Sequence, residues 1–174
     1  MDRYNHYEAA FAALLRDRRV SHVAIDESRR SYEGNASIKS LDFIVHGSQG
    51  EQYVVDIKGR KFPGGKPEKP KRTWECWATQ DDVVDAQHWA AKFGPNYRAL
   101  FVFSYHLVAD MPLMENDTLW TWQDKRYLLR AIPVDLYAQS MKVRSPKWGT
   151  VYLHSHDFHR LVRPLHDVLA DLQV

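Results

Sequence analysis

The chain has 174 residues, 44% of them hydrophobic and 26% charged, with a net charge of +2. That is the size and make-up of one soluble globular domain spanning 1–174 with a core of its own, and it excludes a disordered or low-complexity chain. No apolar run is long enough to span a bilayer, no signal-peptide core opens the chain, and the single cysteine, Cys76, excludes an internal disulfide and a multi-cysteine zinc site, so a cytoplasmic location without membrane attachment is expected.

Residues 2–16 have helical periodicity, with Tyr4, Phe11, Leu14 and Leu15 marking an apolar stripe. Glu8 lies within that stripe, where an ionised carboxylate needs a cation, a hydrogen-bonding group or the edge of a cleft. A salt bridge to Arg29 or Arg30 satisfies it as well as a place around a metal does. Residues 20–30 read as the first strand, with Val20, Val23 and Ile25 inward and Asp26 and Glu27 at its end. Residues 37–46 and 52–58 then read as the arms of a β-hairpin joined by Gly47-Ser48-Gln49-Gly50.

Alternation puts Ile38, Ser40, Asp42 and Ile44 on one face of the first arm, and Val54, Asp56 and Lys58 on one face of the second. A register symmetric about Gln49 pairs residue 44 with 54, 42 with 56 and 40 with 58. Asp42 then faces Asp56. Two carboxylates opposed across a ladder repel unless a cation or a proton lies between them. Hard divalent cations are held by one or two carboxylates, water and phosphate, and Lys58 points at the same spot. The plainer alternative is an exposed hairpin whose solvated aspartates are neutralised by Lys58.

Residues 58–72 hold seven lysines and arginines against Glu68 alone, a net charge of +6 in a chain whose remainder is −4. Pro63-Gly64-Gly65, Pro67 and Pro70 make this stretch an irregular loop in expectation. Arg60, Lys61, Lys66, Lys69, Lys71 and Arg72 would meet a phosphate backbone passing the acid cluster; a solvated insertion is the alternative. Trp74 and Trp77 at its end could stack on unpaired bases or pack on the next helix. Cys76 reads as a packed thiol.

Thr79-x-x-Asp82 opens a helix as a capping box, Val83, Ala86, Ala90 and Phe93 form its stripe, and Gly94 ends it. Gln87 on that stripe reads as structural. Residues 97–105 are a buried strand. Beyond His106, residues 119–122 and 127–134 make a hairpin across Gln123-Asp124-Lys125, a short helix starts at Asp135, residues 148–153 form a strand and 158–172 a terminal helix. His154, His156 and His159 fit no zinc pattern and read as surface residues. Arg144-Ser145-Pro146-Lys147-Trp148 reads as a second phosphate contact or a surface turn.

Helix with Glu8, strand, strand with Asp42, strand with Asp56 and Lys58, helix, strand: this order resembles the PD-(D/E)xK nuclease superfamily, with its restriction-endonuclease-like fold and, among its branches, the Holliday junction resolvases. Leu41 stands where the family name has proline. The stretch His6-Tyr7-Glu8-Ala9-Ala10-Phe11 also resembles the bacterial HYExAFE group, with Ala12 in place of its final glutamate. The family likeness implies an α/β fold, an αβββαβ core over residues 1–106 whose central mixed sheet is flanked by helices, followed by a C-terminal hairpin and helix extension over 107–174.

The same likeness implies a nuclease that hydrolyses phosphodiester bonds in DNA sooner than RNA, structure-selective or non-specific, using Mg²⁺ or Mn²⁺. Asp42, Asp56, Glu8 and the carbonyl of Ile57 would hold the metal, and Lys58 would orient water. A homodimer through the apolar stripe of the terminal helix is a further expectation. Two alternatives remain open: a catalytically silent nucleic-acid-binding accessory protein with the same fold, and an enzyme acting on a small phosphorylated substrate in a closed pocket.

Overall fold

The structure, a computed structural model, describes residues 5–25, 31–33, 36–38, 41–111, 113 and 116–169. Tyr4, Asp26, Glu27, Arg29, Arg30 and Ser40 lie outside them. Helix α1 spans His6–Asp17 and starts on Asn5, whose side-chain oxygen accepts from the Tyr7 amide. The strands that follow are β1 (His22–Ala24), β2 (Ser31–Glu33), β3 (Ala36–Ile38), β4 (Phe43–His46), β5 (Gln52–Phe62), β6 (Gly64–Lys66), β7 (Lys69–Lys71) and β8 (Ala78–Thr79). Helix α2 (Gln80–Phe93) leads into β9 (Tyr97–Leu107), β10 (Thr118–Trp122) and β11 (Lys125–Pro133). The chain closes with α3 (Val134–Ser140), β12 (Lys142–Ser145), β13 (Thr150–Tyr152), α4 (Ser155–Leu161), β14 (Arg163–Pro164) and α5 (Leu165–Val168).

The central sheet runs β1-β4-β5-β9-β11-β10, with β14 added beside β11. It is mixed: β5 and β9 pair in parallel from Gln52↔Tyr97 to Phe62↔Leu107, and the other neighbours pair antiparallel. Parallel strands need a crossover, and α2 supplies it. Because side chains alternate along β5, its two faces feed two cores. Val55 and Ile57 pack with Phe11, Leu14 and Leu15 of α1, while Val54 packs with Val83 and Ala86 of α2 and with Phe101 and Phe103. Helices therefore cover both faces, as expected of the α/β arrangement.

Several expectations shift in detail. The 37–46 arm is divided: β3 pairs with β2, and the hairpin arm proper is β4, starting at Phe43. Val23 is 53% exposed, because β1 lies at the sheet's edge. Phe93 is also largely exposed and stacks between Trp89 and Tyr97 at the surface. The Pro/Gly-rich stretch after Lys58 is regular: β5 continues through Phe62, and β6 and β7 form a hairpin turning at Pro67-Glu68. Gly65 sits there at φ 76°, a backbone region that glycine enters freely. Hairpin β10–β11 joins the central sheet through eight residue pairs between β11 and β9. The expected terminal helix breaks at Arg163-Pro164, since proline has no amide to donate and turns the preceding residue to extended backbone. Its apolar residues Phe158, Val162, Leu165 and Leu169 are buried in the protein's own core and offer no free stripe for a second copy.

Candidate active site

Asp42 precedes β4, and continuing the observed register from Phe43↔Val55 by one step sets it opposite Asp56. β4 has ended there as a ladder, so the Ile57 amide on that edge of β5 turns to a side chain: it donates to Asp42 Oδ2 at 2.6 Å. Asp42 is 8% exposed. Its carboxyl is pushed up to about 8, first by burial and then by the Asp56 charge, with Glu8 adding to the push and the Ile57 amide and Lys58 opposing it.

Gly59 is what lets α1 come so close. The Tyr7 ring lies directly on it, and a Cβ at residue 59 would meet that ring at 2.2 Å. Glu8 follows Tyr7 in the same first turn of α1, and Asn5 Nδ2 donates to its carboxylate at 3.0 Å.

Lys58 sits on the same face of β5 as Asp56 and is 11% exposed at its side chain. Its ammonium donates to Asp56 Oδ2 at 2.8 Å and to Asp82 Oδ2 at 2.9 Å, with the Phe101 ring 5.1 Å away. Burial on its own would lower the lysine; the two carboxylates outweigh it and hold Lys58 above its ordinary value. Burial likewise works to raise Asp82, but the charge and hydrogen bond of Lys58, joined by Thr79, keep it well below the carboxylate range.

Asp82 is the residue that sequence reasoning used only as a helix signal. It is the N3 residue of α2, and its Oδ2 accepts from the Thr79 amide at 3.0 Å while the Asp82 amide donates back to Thr79 Oγ1 at 3.0 Å. One oxygen thus serves the capping box and the lysine together. An aspartate at N3 of the helix that follows a strand carrying Asp-x-Lys is the signal that points to it.

The basic residues divide into two groups. Lys61, Lys66, Lys69, Lys71 and Arg72 are exposed on the end of β5 and on the hairpin beyond. Lys66 faces Lys69 across the ladder, an unfavourable pairing for like charges. Arg60 instead turns inward: its guanidinium lies 4.0 Å from the centre of the Trp77 ring and donates to the carbonyls of Trp77 and Gly59. Trp74 is spent in packing, stacked on Phe62 at 3.7 Å with Arg130 4.7 Å from its ring. Gln87 donates to Asp135 at 2.9 Å, consistent with a structural role, and Cys76 is a buried thiol donating to the Leu153 carbonyl.

No protein-family model matches the chain. No curated protein matches it either, and the likeness of residues 6–11 to the HYExAFE group finds no support there. Among solved structures, Hjc, a Holliday junction resolvase of Archaeoglobus fulgidus, superposes with a TM-score of 0.53 at 9% identity, covering 97% of each chain. The fold is restriction-endonuclease-like. At that identity the likeness speaks for the architecture, and it extends through β10 and β11 to the C-terminal elements as well as the first 106 residues. Among the described residues no helix is long and apolar enough to cross a membrane.

The donor set can be weighed against a divalent metal on its own chemistry. Asp42, Asp56 and Glu8 are hard oxygen donors; burial first, and then the Asp56 and Glu8 charges, raise Asp42, and a cation beside it would offset both. Among the described residues no three His, Cys, Asp or Glu groups converge closely enough to hold an ion unaided. The arrangement fits Mg²⁺ or Mn²⁺ held by two carboxylates and completed by water and substrate phosphate, and does not fit a closed structural metal site.

Proposed function

We propose that the chain is a metal-dependent nuclease that hydrolyses phosphodiester bonds in DNA, with preference for a branched or otherwise distorted substrate. The observation that carries this reading is the meeting of Asp42, Asp56 and Lys58 where β4 and β5 part, inside a fold shared with a Holliday junction resolvase. Asp42 and Asp56 would hold Mg²⁺ or Mn²⁺, with Glu8 beside them. Ile57 directs its amide toward Asp42, and in an extended strand the carbonyl of the same residue points to the same edge, so it is a fourth donor. Bound there, the metal supplies Lewis-acid polarisation of the scissile phosphate and charge stabilisation of the leaving oxygen.

The chain's own groups do the rest. Lys58, kept as an ammonium between Asp56 and Asp82, orients the attacking water and offsets the negative charge that builds on the phosphoryl oxygens. Water bonds to phosphorus and gives up a proton to solvent, the bond from phosphorus to the leaving oxygen breaks, and that oxygen takes a proton from solvent. Lys61 and the hairpin lysines hold the phosphate backbone against the site. We place this activity in the cytoplasm.

One observation favours a second reading, a nucleic-acid-binding protein without turnover: Lys58 is engaged by carboxylates on both sides, and the acids alone do not complete a metal sphere. A single experiment separates the two. Labelled duplex, single strand, flap, four-way junction and RNA are incubated with Mg²⁺ or Mn²⁺ and wild type, Asp56→Ala or Lys58→Ala. Metal-dependent cleavage that falls about a thousandfold in both variants supports the nuclease. Binding with no cleavage of any substrate gives the accessory reading.

A further inference from the structure

Beside the basic hairpin lies a groove of about 620 Å³, the scale of a site for a small organic ligand. Its walls come from separate parts of the chain: Lys71 and Arg72 at the base of β7, Trp77 before β8, Arg144 on β12, and Tyr152 and His154 at the end of β13. The charged lining is one-sided, three lysine and arginine residues facing Glu75 alone. No carboxylate among the described residues pairs with Lys71, Arg72 or Arg144. Arg144 is exposed, yet it is steered: its guanidinium lies 5.3 Å from the centre of the Trp77 ring.

The groove is linked to the candidate active site through Arg60. Trp77 is the ring on which Arg60 lies, and Arg60 is two residues beyond Lys58 on β5. Lys71 ends the hairpin and Arg72 follows it, and both line the groove. A strand held along the hairpin would therefore reach the groove at these two residues. Cations beside aromatic and imidazole rings, in a concavity of this size, match phosphates joined to unstacked bases. An acidic peptide would satisfy the cations and leave the rings unused.

We propose that this groove is a second nucleic-acid site that takes a single-stranded segment, its phosphates on Arg144, Lys71 and Arg72 and its bases against Tyr152 and His154. The inference rests on the reading that the chain handles nucleic acid, and adds what kind: a substrate with an unpaired strand running out of a duplex. The groove receives the unpaired strand while the exposed Lys66 and Lys69 hold the duplex.

Fluorescence anisotropy in EDTA tests it without any turnover, using a labelled short oligothymidylate, an abasic strand of equal length and a duplex, each over a range of salt. Wild type is expected to bind oligothymidylate about tenfold more tightly than the abasic strand. Arg144→Glu should weaken oligothymidylate binding about tenfold and lower the log–log salt slope by about 0.7 or more, with duplex affinity changing less than threefold. His154→Ala should narrow the preference over the abasic strand and leave the salt slope as it is. Equal losses on duplex and single strand, or equal binding of abasic and natural strands, overturn the groove proposal while leaving the nuclease reading in place. Competition by a poly-glutamate peptide as effective as oligothymidylate also overturns it. Failure of the wild type to bind any nucleic acid overturns both.

Discussion

Lys58 keeps 11% of its side chain in solvent and has a carboxylate on either side, whereas Lys66 and Lys69 are exposed and face each other across their hairpin. The first charge is fixed by geometry: two hydrogen bonds, the pairing of β5 with β9 and the N-terminus of α2 hold it. The second kind is a field on the surface, set by count and screened by salt. Charges of the buried kind are worth most to the folded state and to chemistry on a fixed atom. Charges of the exposed kind cost the fold little and govern how a polyanion approaches.

The largest expected effect comes from emptying the buried position. Lys58→Met leaves Asp56 and Asp82 facing each other without a cation, and should cost about 3 kcal/mol in urea denaturation. A loss below about 1 kcal/mol would mean that solvent already screens the three groups. Gly59→Ala comes next. Its methyl must displace the Tyr7 ring and the first turn of α1 with Glu8, for a cost of about 2 kcal/mol by the same measurement. Tyr7→Ala in the same chain should recover part of it, which a purely local backbone effect would not allow.

Asp42 gives a prediction in pH. Its folded value of about 8 lies above its ordinary 3.8, so between those limits the folded state binds more protons than the unfolded one, and stability falls as pH rises through that window. Asp42→Asn removes this penalty. It should stabilise the protein progressively more as pH rises from 4 to 8, and by nothing near pH 4, while abolishing metal-dependent cleavage. Thermal unfolding of both forms across that range checks it, and a gain independent of pH would contradict the assignment. The smallest effect on stability belongs to the exposed pair. Lys66→Ala with Lys69→Ala should move stability by less than about 0.5 kcal/mol, or raise it slightly. Duplex binding should nevertheless lose about 0.9 of salt slope for each cation removed.

Much of this comparison was legible before the structure. The Gly47-Ser48-Gln49-Gly50 turn and the alternation on both arms gave Ile44 opposite Val54, as observed, and with it the approach of Asp42 to Asp56. The capping box at Thr79 and the turn at Gln123-Asp124 are local chemistry, and both hold: the two turn residues adopt φ of 47° and 60°. What escaped was non-local. Asp82 reaches Lys58 only because the crossover from β5 brings the start of α2 back over the strand, a fact about topology that spacing does not carry. The hairpin escaped for another reason. Gly64, Gly65, Pro67 and Pro70 read as breakers, yet a two-stranded ribbon needs only a turn and a few backbone pairs, and its edges tolerate proline. Pro164 did carry a legible signal, and periodicity across 158–172 overrode it.

β5 is long for a strand, running from Gln52 to Phe62 without interruption. At its outer end Phe62 is gripped by Trp74, and its carbonyl accepts from the Val108 amide at 2.9 Å. Such a strand works as a ruler. The four steps from Lys58 to Phe62 span about 13 Å at the usual strand rise, close to four nucleotide steps of about 3.4 Å along a duplex. In the proposed nuclease the offset between the bond that is cut and the first phosphate held by the hairpin would be written in backbone length, and lengthening β5 by two residues would shift the cut by about two nucleotides.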